Sequence, residues 1–146
     1  MTTGYAKQQS IALENASPEQ TLAWGLTTTA RRMAAACDPG VTRDQVLDAV
    51  RVNWRLWTII QAEQADPDCA TPKHIREGLL NLANFIDKRS IELLAHPDPA
   101  KLQPLININR NIAAGLLGTD LPPEQRAERE RKLAQQQSGG ITLVQG

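Results

Sequence analysis

Two capping boxes and a series of proline-bearing stops cut residues 17–118 into four stretches of helical periodicity. Ser17-Pro18-Glu19-Gln20 opens the first: Ser17 suits an N-cap, Pro18 the first turn, and Gln20 completes the box. Leu22, Leu26, Met33 and Cys37 then recur on one face, with Ala30 beside them, and Asp38-Pro39-Gly40 ends the stretch. Thr42-Arg43-Asp44-Gln45 is a second capping box, and Asp66-Pro67-Asp68 closes what it opens. Plotted at 100° per residue, Val46, Val50, Trp57 and Ile60 form the centre of an apolar face. Leu47, Ala49, Trp54 and Leu56 widen it, and Val52 and Ile59 carry it past half the circumference. The third stretch opens at Thr71-Pro72, lines one face with Ile75, Leu79, Leu82, Ile86 and Leu93, and stops before His96-Pro97-Asp98-Pro99. The fourth runs from about Gln103 to Leu117, with Leu105, Ile106, Ile112, Ala113 and Leu116 inward and Gly118 as its stop.

Short loops between successive helices predict an all-α fold, an up-down bundle of four main helices. Residues 1–16 form an N-terminal arm carrying Tyr5, Ile11 and Leu13. Beyond the fourth helix, residues 120–137 are charged with almost no apolar stripe and predict a short solvated helix, and 138–146 are expected to be flexible. The division is therefore a helical domain with its arm over 1–118 and a polar extension over 119–146. A chain of 146 residues is enough for one modest core.

The formal net charge is zero, which argues against direct nucleic-acid binding, where Lys and Arg must neutralise phosphates. Cys37 and Cys69 form no Cys-x-x-Cys motif and read as free thiols in a reducing compartment. No basic-then-apolar leader opens the chain and no apolar run reaches the ~18 residues of a membrane span, so a cytoplasmic protein without membrane contact is expected. His74 and His96 have no Cys or carboxylate at ligand spacing on the same face, and no glycine-rich phosphate loop is present. The expectation is a non-enzyme with no catalytic residues, metal or cofactor.

Two departures from the inside-apolar rule are more informative. Asn53 lies at the centre of the second helix's apolar arc, and Asn109 lies equally centrally on the fourth. A buried amide without a partner costs about 1–3 kcal/mol, so each is expected to find a hydrogen bond inside the bundle, the other asparagine being one candidate. Both are read as core polar pins that fix helix register, as buried Asn does in coiled coils. In the opposite sense, Trp24 lies nearly opposite the Leu22/Leu26/Met33 stripe, Leu80 and Ile91 share the back of the third helix, and Trp54 stands at a stripe margin. Gathered into a groove, such residues make a surface for a partner helix. The arm, through Tyr5 and Ile11, is expected to cover that surface until a partner displaces it.

The same residues carry a family likeness. Gly4-Tyr5 is followed by Ala16-Ser17-Pro18-Glu19, then by Asn53-x-Arg55-Leu56-Trp57, Pro72 through Ile86, and Leu105-Ile106-Asn107-Ile108-Asn109-Arg110-Asn111-Ile112 with Gly115-Leu116. In this order they resemble the FlaF family of flagellar biosynthesis regulators of alphaproteobacteria, over about residues 4–117. Val52 and Asn107 depart from that pattern, where an aromatic and an acid are expected. Tyr5 with Ala16-Ser17-Pro18-Glu19-x-x-Leu22 is also similar to the opening of the FliS export chaperones, helical bundles that hold the C-terminal segment of flagellin. The resemblance implies a protein that binds the terminal segment of flagellin and couples its supply to filament assembly; a monomer or weak homodimer is expected. It implies, as the alternative, a post-transcriptional regulator of flagellin expression acting with an FlbT-type partner.

Overall fold

The computed structural model describes residues 15–118 and 122–145. Among them every regular element is helical: α1 (Pro18–Ala35), α2 (Arg43–Ala65), α3 (Lys73–Ala95), a 3-10 turn (Pro99–Leu102), α4 (Gln103–Leu117) and α5 (Pro123–Gln145).

Both capping boxes form. The Ser17 hydroxyl accepts from the Gln20 amide at 3.1 Å while the Gln20 side-chain carbonyl accepts from the Ser17 amide at 2.9 Å. Thr42 and Gln45 repeat the arrangement at 3.2 and 2.9 Å. Each box satisfies two groups that the first turn of a helix otherwise leaves unpaired. α3 has no such cap, because Pro72 occupies its N-cap position and Thr71 instead accepts from the Cys69 thiol at 3.3 Å. α4 ends on Gly118 at φ +72°, a left-handed residue that glycine adopts without steric cost.

Cross-helix contacts set the order and direction of the helices. Cys37, just past the end of α1, reaches Pro99 at the start of α4, and Leu26 and Thr29 meet Asn109 halfway along. Trp54 meets Asp87, and the Gln64 carbonyl meets Arg76, so α2 and α3 are antiparallel. Gly25 of α1 stands beside Leu56 of α2. The closest packing is therefore α1 on α4 and α2 on α3, with α1 on α2 joining the two pairs. This is the up-down bundle expected of the sequence. Its core gathers Leu26, Met33, Trp57, Ile60, Ile86, Leu93, Leu105 and Ile106, all at 1% exposure or less. Burying a side chain of this size is worth about 1.5–3 kcal/mol.

Two inward assignments are corrected. Cys37 lies beyond the end of α1 and is exposed, since the helix stops at Ala35. Ile75 is 46% exposed although its angle faces inward. It sits in the first turn of α3, where no other described helix covers it. In its place Ala83 and Ser90, small enough to let neighbouring backbones approach, are the buried α3 positions beside Ile86 and Leu93. The charged extension also differs from its expected form. α5 is one helix through Gln145 and continues across Gly139-Gly140, which weaken a helix by about 1 kcal/mol each without removing a backbone bond as proline would. It is tied to the bundle: the Arg129 guanidinium donates to the carbonyls of Gly115 at 2.6 Å and Leu116 at 3.1 Å, satisfying the free end of α4.

Candidate partner-binding surface

The two asparagines meet. Asn109 on α4 is fully buried and sits at the centre of a network spanning three helices. Its amide nitrogen donates to Asn53 Oδ1 at 2.7 Å and to Thr29 Oγ1 at 2.8 Å. Its Oδ1 accepts from the indole N–H of Trp57 at 2.9 Å. Thr29 in turn donates to the carbonyls of Gly25 and Leu26, each at 3.0 Å. Three of the four residues in this network belong to the sequence stretches that carry the family likeness, namely Asn53 and Trp57 of one and Asn109 of the other. Asn53 Nδ2 and the Ser90 hydroxyl on α3 are buried with no hydrogen-bond partner among the described residues. The polar centre thus couples α1, α2 and α4, and leaves α3 held by apolar packing and by its edge contacts.

On the outside of the bundle the pattern reverses. Ile91 is 58% exposed and Trp24 is 47% exposed. Leu80 and Trp54 are half-buried. Leu80, Asp87 and Ile91 lie on one face of α3 by helical spacing. The Trp54 indole N–H donates to Asp87 Oδ1 at 2.8 Å, so Trp54 is drawn onto the middle of that face. Trp54 and, by helical spacing, Leu80 and Ile91 therefore lie along the α2-facing flank of α3 as an apolar strip around Asp87. Trp24 does not join them, because α1 and α3 make no close approach and Trp24 stands on the outside of α1. Tyr5 and Ile11, and with them the expected covering by the arm, lie outside the described residues.

Sequence reasoning missed further exposed apolar side chains. Ile59 on α2 is 54% exposed, Leu117 on α4 42%, and Phe85 on α3 37%. The over-wide stripe of α2 already contained the signal for Ile59, since no helix can bury more than about half its circumference against two neighbours. Phe85 is covered on one face by the Arg89 guanidinium, 5.2 Å from the ring centroid.

Electrostatics at the surface are modest. Lys101 bonds Glu92 and holds its carboxyl below the ordinary value, with Arg89 at 3.4 Å assisting. Arg89 also donates to the Lys101 carbonyl at 3.1 Å, which ties α3 to the 3-10 turn. Hydrogen bonding with Thr71 lowers the Cys69 thiol, while partial burial and then Asp38 raise that of Cys37. Among the described residues no group of three or more His, Cys, Asp and Glu is placed to hold a metal. A cavity of about 240 Å³ between the end of α1 and the start of α2, lined by Arg32, Ala35, Ala36, Val41, Gln45 and Asp48, is shallow and small for a cofactor.

Fold and surface together define a small antiparallel helical bundle with a polar centre and an apolar strip on the outer side of α2 and α3. Residues 2–116 match the family described as Flagellar protein FlaF, and the chain belongs to that family. It is accordingly a flagellum-related protein. No curated protein matches the chain, and no solved structure does. α5 lies beyond the matched residues.

Proposed function

We propose that this FlaF-family chain holds the terminal segment of flagellin before export, as a cytoplasmic, non-catalytic binding protein, and so couples flagellin supply to filament assembly. The observation that carries the reading is the apolar strip on the outer side of α2 and α3, where Ile91 is 58% exposed on the same flank as Leu80 and the Asp87-anchored Trp54. An exposed apolar strip between two antiparallel helices suits the apolar face of a third helix, read as anchors at i, i+3, i+4 and i+7. Fixing Trp54 in advance lowers the ordering cost of binding. No described helix is long and apolar enough to cross a membrane, which is compatible with capture in solution.

The test is titration of a C-terminal flagellin peptide into the full chain, with flagellin leader RNA as comparator. Binding at micromolar concentration supports the reading. No peptide binding, together with salt-sensitive binding of the RNA, would replace it with direct control of flagellin message.

A further inference from the structure

α2 carries a face that neither the core nor the α3 contact uses. Gly25 of α1 approaches Leu56 of α2, with a Cβ at Gly25 lying 3.7 Å from the Leu56 side chain. The buried Leu26 lies on one side of Gly25, and Trp24 lies on the other. In the same way the buried Ile60 lies on one side of Leu56, and Ile59 lies on the other. Arg32, Ala35 and Ala36 stand near Gln45 and Asp48, so α1 and α2 run antiparallel. That register sets Trp24 within about two residues of Ile59 along the bundle, a rise of ~3 Å. Trp24 at 47% exposure and Ile59 at 54% thus form an apolar rim outside the α1–α2 contact, with Val52 and Leu56 half-buried beside it.

The charges around this rim are ordered about Ile59. Arg55 lies four residues before it and Glu63 four residues after it, on the row of side chains that helices use to interdigitate. Both are exposed, and neither forms an ion pair among the described residues. Neither has an opposite charge three or four residues away on α2; Arg55 has Arg51 there, and Glu63 has Asp66. Glu63 also stands in the last turn, where the helix dipole favours cations. The arrangement does not serve α2 alone.

We propose that the chain forms a homodimer through this face, with the α2 helices of two copies packed antiparallel about a twofold axis at Ile59. A twofold contact needs a patch that is complementary to itself. An apolar centre with opposite charges equidistant from it has that property. In the antiparallel pair Ile59 meets its own counterpart, and Arg55 of each copy meets Glu63 of the other. A parallel copy would set like charge against like. Trp24 of each copy stands beside the paired isoleucines and widens the apolar centre. The proposal does not rest on the flagellin reading: Ile59 lies about 140° round α2 from Trp54, so the dimer leaves the strip around Asp87 uncovered.

Sedimentation equilibrium of the full chain tests it. The contact is short, so a weak dimer is expected, with a dissociation constant of about 10 µM. The measured mass should rise from 16.0 kDa to twice that value with concentration. Arg55→Glu and Glu63→Arg, both at exposed positions, each set like charges across the axis and should weaken association at least about tenfold. An equimolar mixture of the two variants should recover the association of the unaltered chain, because the mixed dimer restores an opposite charge at both contacts. Three results would overturn the proposal. The unaltered chain stays at 16.0 kDa up to about 200 µM; the single variants associate as it does; or the mixture is no tighter than its components.

Discussion

The centre of this bundle and the apolar strip on the outer side of α2 and α3 break the same rule in opposite directions. At the centre Asn53, Asn109 and Thr29 are polar and buried. In the strip Ile91 is apolar and exposed. The hydrogen bonds of Asn109 to Asn53, Thr29 and Trp57 form in one geometry only, so the centre fixes which way α1, α2 and α4 face one another. The exposed groups constrain nothing in the isolated chain. The contrast separates residues that hold the fold from residues free to hold a partner, and it places the most family-specific residues among the former.

That division can be broken by substitution, and the largest effect is expected at its centre. Trp57→Ala removes a fully buried indole and the hydrogen bond to Asn109. It should destabilise the fold by about 3–5 kcal/mol in chemical denaturation. Asn109→Ala strands the Trp57 N–H and Asn53 Oδ1 and should cost about 3 kcal/mol, from the 1–3 kcal/mol of each buried unpaired group. A loss below about 0.5 kcal/mol there would mean that the network does not hold the helices. Ser17→Ala deletes one capping bond and should cost about 1 kcal/mol, read as a lower thermal midpoint. Ile91→Ser, by contrast, should change stability by no more than about 0.5 kcal/mol, because the side chain has little packing to lose.

The smallest effect is one of pH. Lys101 holds the Glu92 carboxyl below its ordinary value in the folded chain. The unfolded chain therefore takes up the proton first as pH falls. The contribution of the pair is fully present above the ordinary glutamate range and is lost as pH drops through the depressed folded value. Lys101→Met should flatten that part of the stability profile below pH ~5 and leave neutral-pH stability nearly unchanged, since the pair is exposed to solvent.

Much of the bundle could be read from local pattern. The two capping boxes, the stop residues and Gly118 bound three of the four main helices to within a residue or two. The buried asparagines stood out because each sat at the middle of an apolar arc, and such a position has only buried solutions. What was not legible depended on which helix lies beside which. Ile75 has the angle of a core residue, yet its place in the first turn of α3 leaves it 46% exposed. Ser90 and Ala83 carry little hydropathy, and their burial follows from the close approach of neighbouring backbones. Trp24 and Ile91 look alike as misplaced apolar residues, yet they belong to helices that do not pack closely on each other. In the sequence Arg129 is one charge among many in a polar stretch. Its role at the end of α4 comes from where that helix leaves two carbonyls unpaired.

On the proposed function, the apolar strip of α2 and α3 binds a partner while the polar centre only holds the fold. Isothermal titration of the terminal flagellin segment into the unaltered chain and into Ile91→Ser tests it most directly, with the thermal midpoint measured on the same samples. Ile91→Ser is expected to weaken binding roughly tenfold, about 1.4 kcal/mol, with an unchanged midpoint. Equal affinity for both chains would contradict it.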